Sequence, residues 1–133
     1  MEFPIEECNI KGQPLWWIEF SQWEDPRVEL FDKENICLYL NTAYDTCPMV
    51  GESIKNIDLL IDILSTAYLL IFQKMSDEEL TATKQDVGLS PNSICSIMHY
   101  FINSCDDLQW ESWEHLLKSI QRNITIMLKD GED

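Results

Sequence analysis

Residues 57–72 read IDLLIDILSTAYLLIF, and the reading of this stretch decides the fold. Ile54, Ile57, Ile61, Leu64, Tyr68, Ile71 and Met75 recur at helical spacing and form one apolar line. Leu60, Ile63, Leu69 and Leu70 carry the apolar surface further round. Lys55, Asp58, Asp62 and Ser65 leave a narrow polar stripe. A helix apolar on most of its circumference is enclosed by other elements, so this one is expected at the centre, with Ser53 as its N-cap. Two aspartates interrupt the stretch, and it is too short to span a bilayer.

Three more helices are predicted after it. Ser76-Asp77-Glu78-Glu79 is a capping box, its acids favoured by the helix dipole, and Gly88 suits the C′ position of that short helix. Ser90 and Pro91 suit the N-cap and first position of the next, whose buried line is Ile94, Ile97, Met98, Phe101, Ile102 and Cys105. The last is expected to start at Asp106-Asp107, to place Trp110, Trp113, Leu117, Ile120, Ile124 and Leu128 in the core, and to stop at Gly131.

Four of the five prolines precede residue 52, and there the pattern is that of short strands. In residues 15–20, Trp16, Ile18 and Phe20 share one face, and Trp17 and Glu19 share the other. Residues 27–31 alternate again. Asp32-Lys33-Glu34-Asn35 is a loop of turn formers, and residues 36–40 are a third apolar run, so 27–31 and 36–40 are expected to form a hairpin. The remainder, to Gly51, is expected to be loop. The predicted fold is α+β: a small N-terminal antiparallel sheet from residues 15–41, then a four-helix cluster around the central apolar helix, in a single domain over 1–133.

The chain holds 24 Asp and Glu against 9 Lys and Arg, a formal net charge of −15. The acids are spread over both halves, 11 in residues 1–57 and 13 in 58–133, so they form no detachable tail. This balance opposes binding to nucleic acid phosphates or to an anionic membrane. At 45% hydrophobic residues the chain is too apolar to be disordered. The acidic start, broken by Pro4, lacks the pattern of a secretion signal, which implies a cytoplasmic location.

No catalytic motif is present. The five cysteines, Cys8, Cys37, Cys47, Cys95 and Cys105, show no C-x-x-C spacing, and they are expected to be reduced thiols, several of them buried. His99 and His115 have no ligand-like partner, so neither a metal nor a cofactor is expected. Cys95 and His99 stand one helical turn apart, a weak sign of a thiol nucleophile. Asp58 and Asp62 are expected on the solvent edge of the central helix. Asn123-Ile124-Thr125 matches a glycosylation sequon by chance, within a predicted helix.

The function expected is therefore non-catalytic binding. Fifteen net negative charges steer cationic partners, and an acidic protein can fill the basic cleft of a nuclease. The expected contact residues are Glu24, Asp25, Asp32, Glu34, Asp106, Asp107, Glu111 and Glu114, with Trp23 as an exposed aromatic anchor. Bacterial immunity proteins, which neutralise nuclease toxins in the producing cell, are similar in size and acidity and in having no signal peptide or catalytic motif. That resemblance implies a cytoplasmic toxin inhibitor whose partner is a basic nuclease domain. DNA mimicry toward a DNA-binding protein is a variant of it. Residues 53–129, a central apolar helix wrapped by amphipathic ones, also resemble the Bcl-2-like proteins of poxviruses, with Trp-Glu-Ser-Trp-Glu at 110–114 similar to their late helices. This second resemblance implies an antagonist of apoptosis or signalling. The strand-rich first third counts against it.

Overall fold

A computed structural model of the chain describes residues 3–105 and 110–130. Its centre is helix α1, Ile57–Lys74. Asn56, rather than Ser53, caps it, accepting a hydrogen bond from Leu59 N at 3.1 Å. Ser53 lies instead in a two-residue strand. Leu60, Ile61, Ile63, Ala67, Tyr68, Ile71 and Phe72 are all buried, as the spacing requires. Asp58 and Asp62 stay exposed, and Asp58 pairs with Lys129 at 2.8 Å.

The other helices are α2 (Asp77–Gln85), α3 (Ile94–Ser104) and α4 (Trp113–Asp130). The capping box of α2 forms as read, Ser76 and Glu79 exchanging bonds of 2.9 and 3.2 Å. Its C-cap is Asp86 in the left-handed region, two residues before Gly88. Ser93, not Ser90, caps α3; Ser90 donates its N–H to Arg27 O. Ile94, Met98, Phe101, Ile102 and Cys105 are buried as expected. Ser112 Oγ accepts from His115 N at the start of α4, seven residues after the expected Asp106, which lies outside the described residues together with Asp107 and Gly131.

Helix α4 runs antiparallel to α1. Asp58 at the start of α1 meets Lys129 at the end of α4, and Phe72 at the end of α1 meets Trp110 just before α4. Leu116, Ile120 and Ile124 close one side of the core. Trp113, expected in that core, is exposed: the helix begins at this residue, and its ring lies against Trp110, which is the one that meets Phe72.

The sheet is mixed rather than antiparallel. Its order is β1 (Ile5–Cys8), β3 (Ile36–Asn41), β2 (Trp16–Phe20). Strand β2 runs antiparallel to β3, with Trp16 opposite Leu40 and Phe20 opposite Ile36. Strand β1 runs parallel to β3, with Ile5 opposite Leu38. The expected hairpin between 27–31 and 36–40 does not form. Asp25 O accepts the N–H groups of Val28 and Glu29, which curls residues 25–29 into a turn. Leu30 then bridges to Ser93 instead of to β3. The two-residue strands β4 (Met49–Val50) and β5 (Ser53–Ile54) form a small hairpin, β4 in the stretch expected to be loop and β5 at the expected start of the central helix.

Ile36, Leu38 and Leu40 of β3 are fully buried against the helices. Asn41, also fully buried, ties down the β1–β2 connection: Nδ2 donates to Ile10 O and Pro14 O, and Oδ1 accepts from Ile10 N and Ala43 N. Every polar atom of its amide is thus satisfied.

Replacing Phe72, whose ring has no exposed surface, with alanine should cost about 3–5 kcal/mol. Ser76→Ala should cost about 1 kcal/mol through loss of the cap. Urea unfolding measures both, and a Phe72→Ala loss no greater than that of Ser76→Ala would show that Phe72 is not part of the core.

Candidate protein-binding surface

Two loops build the surface that carries four of the expected contact acids. The first, residues 21–35, joins β2 to β3; the second, residues 86–93, joins α2 to α3. Backbone hydrogen bonds stitch them into one layer: Ser90 N to Arg27 O at 2.9 Å, Phe31 N to Asn92 O at 3.0 Å, Ile94 N to Glu29 O at 2.8 Å and Cys95 N to Pro26 O at 3.0 Å. Asp86 and Asn92 adopt the left-handed conformation that the tight second loop needs, which short polar side chains tolerate.

Within the first loop the acids divide into two kinds. Asp25 and Asp32 shape the chain. Asp25 Oδ1 accepts from Arg27 N and from Arg27 Nε, the latter at 2.9 Å. The hydrogen-bonded guanidinium holds the Asp25 carboxyl below its ordinary value. Asp32 Oδ1 accepts from the N–H groups of Glu34 and Asn35, an Asx-type turn. Glu24 and Glu34 are exposed, and neither forms an ion pair among the described residues. The expected set thus holds two structural carboxylates and two available ones.

Trp23 is no exposed anchor. Its Nε1 donates to Asn35 O at 3.0 Å, its ring meets Phe20 edge-on at 5.3 Å, and Lys74 Nζ lies 5.4 Å from its centroid. It closes the loop against α1. The exposed apolar residues are others: Val28 at 53%, Leu30 at 51%, Val87 at 62% and Tyr100 at 63% exposure. Asp77, Glu78 and Asp86 stand exposed beside Val87, and Arg27, Asp77, Glu78 and Val87 line one shallow groove. An apolar centre with a charged rim is the anatomy of a protein interface. Val28 and Leu30 were hidden in the sequence because their alternation with Glu29 mimics a half-buried strand.

Glu111 and Glu114 are exposed near the start of α4. Phe72 touches Trp110, while Lys74 covers Phe20 and Trp23, so segment 110–114 and the first loop approach the same end of α1. Lys84 Nζ sits 4.0 Å from the Trp110 centroid.

A separate apolar cleft of about 440 Å³ opens between α1, α4 and the β4–β5 hairpin. Leu60, Leu64 and Ile124 form its floor, Ile54 and Met127 its lips, and Glu52 lies in its lining.

Among the described residues, no group of three or more His, Cys, Asp or Glu could hold a metal ion, and no single helix is long and apolar enough to cross a membrane. His99 and Cys95 both serve the α2–α3 contact. His99 Nδ1 bonds Thr83 O at 2.7 Å, and because a carbonyl only accepts, Nδ1 carries the proton. Cys95 is fully buried, and burial pushes its thiol up to about 11, which suppresses the thiolate that a nucleophile needs. Burial raises the Tyr68 hydroxyl as well.

Both groups hold their protons more tightly in the folded chain than in the unfolded one. Stability should therefore be full below the unfolded thiol value, about 8.5, and should fall as pH rises from there toward 11. Urea midpoints at neutral and alkaline pH test this. Cys95→Ala should flatten the alkaline fall, and a midpoint constant with pH would refute the assignment.

No family model, curated protein or solved structure matches this chain.

Proposed function

We propose that this protein acts by binding a basic protein and blocking it, without catalysis, in the manner of an immunity protein that neutralises a nuclease-type toxin. The observation that carries the reading is the stitched pair of loops, on which Val28, Leu30 and Val87 stand exposed among carboxylates, with Tyr100 exposed on the α3 helix that follows. The chemistry of such a face is specific. The aliphatic centre supplies burial, and the surrounding acids supply charge complementarity and fast, steered association. Nine bases can neutralise at most nine of 24 acids, so at least fifteen carboxylates remain for a cationic partner. The strand-bearing first third favours this reading over a purely helical module.

Calorimetry against a basic nuclease domain tests the reading. Affinity should fall steeply from low to high salt. The double reversal Glu24→Lys with Glu34→Lys should slow association, and Leu30→Asp should cost more than 1 kcal/mol if Leu30 lies at the interface centre. Binding indifferent to salt and to all three substitutions would exclude this face.

The apolar cleft favours a second reading, a helix-binding antagonist that takes an amphipathic segment into a groove. An amphipathic Leu/Lys peptide should then shift the methyl resonances of Leu64 and Ile124. Shifts confined to the Val28 loop would remove the groove from consideration.

A further inference from the structure

The sheet has a second face, and among the described residues no helix covers it. Strand alternation sends Ile36, Leu38 and Leu40 of β3 into the core and turns Cys37 and Tyr39 to the opposite face, where Cys37 is covered by its neighbours and Tyr39 keeps part of its surface exposed. The register aligns Glu6, Tyr39 and Trp17 in one row across the three strands, with Glu19 opposite Cys37 in the next. Trp17 and Tyr39 stack, their centroids 5.0 Å apart and their planes 14° from parallel. Both keep part of their surface exposed. Trp17 Nε1 donates to Glu19 Oε1 at 3.3 Å, which holds that carboxylate beside the rings.

The molecule uses cations over rings elsewhere. Lys74 covers Phe20 and Trp23, and Lys84 covers Trp110. Among the described residues, no such cation lies over the Trp17–Tyr39 pair. Lys33 is engaged by Glu6, the residue paired with Tyr39 across the sheet, at 2.7 Å, while Glu19 forms no ion pair among the described residues. A flat aromatic pair with an unneutralised carboxylate at its edge matches a guanidinium, which is planar, weakly hydrated, stacks on rings and donates sideways to a carboxylate.

We propose that the Trp17–Tyr39 pair and Glu19 form a platform that seats an arginine side chain of the basic partner. This rests on the reading of the partner as basic, but it places a contact on the sheet face rather than on the loops.

The test uses the full, isotope-labelled chain and the blocked peptide Gly-Gly-Arg-Gly-Gly. The Trp17 indole N–H and the Tyr39 amide should shift saturably with this peptide, and much less with its citrulline counterpart, which has the shape without the charge. Glu19→Gln, which keeps an acceptor for Trp17 Nε1, should weaken peptide binding about two- to five-fold. Trp17→Leu should abolish the preference for arginine over lysine. Equal shifts with arginine and citrulline peptides would overturn the platform and leave the loop reading standing. Arginine-selective shifts at Trp17, in a protein whose loop variants bind a basic domain unchanged, would uphold the platform and remove the loop face.

Discussion

Helix α1 presents apolar side chains around nearly its whole circumference, and the rest of the molecule is arranged to cover it. Helix α4 lies antiparallel along it, joined at one end by Asp58–Lys129 and at the other by Phe72 against Trp110. Strand β3 contributes Ile36 to one cluster of buried residues and Leu38 and Leu40 to another. Leu64 of α1 packs against both clusters, so the sheet and the helices share one continuous interior. A helix of this composition is unstable in water by itself, and its stability comes from that packing.

The charge imbalance forces a second economy. Nine bases serve 24 acids, and five of the bases make structural contacts. Arg27 fixes the turn at Asp25, Lys33 joins Glu6, and Lys74 and Lys84 lie over aromatic rings. The carboxylates left over repel one another, and the fold tolerates this by keeping them on the surface, where water screens them. The proposed contacts with a cationic partner draw on the same surplus at two surfaces: the loop face with its exposed aliphatic residues, and the aromatic row on the sheet.

Much of the local structure was legible in the residues. The enclosed helix, the capping box at Ser76 and the buried line of α3 each follow from side chains interacting within a turn or two of chain. Errors arose where a distant partner decided. Residues 27–31 alternate like a strand, but Asp25 and the loop at 90–93 supply their hydrogen bonds. Ile5–Cys8, with two glutamates in four residues, has little strand signal, and it becomes a strand because β3 offers a parallel edge. Trp23 and Trp113 exchanged environments relative to expectation. Trp23 reaches the backbone oxygen of Asn35, twelve residues on, whereas Trp113 sits at a helix start and meets only the edge of the core through Trp110, their centroids 6.2 Å apart.

Taken alone, the sequence determined the α+β class, the central helix, the capping box at Ser76 and an acidic composition, because periodicity, a cap closed within one turn and net charge are properties of the chain itself. Tertiary structure decided which acids are available. Glu24 and Asp25 are adjacent and chemically alike, yet one faces solvent and the other is held by Arg27. It also decided that Val28 and Leu30, rather than Trp23, are exposed, and that Trp17 and Tyr39 meet in one stack. These outcomes depend on hydrogen bonds and strand register between residues far apart in the chain, and composition and spacing carry no record of them.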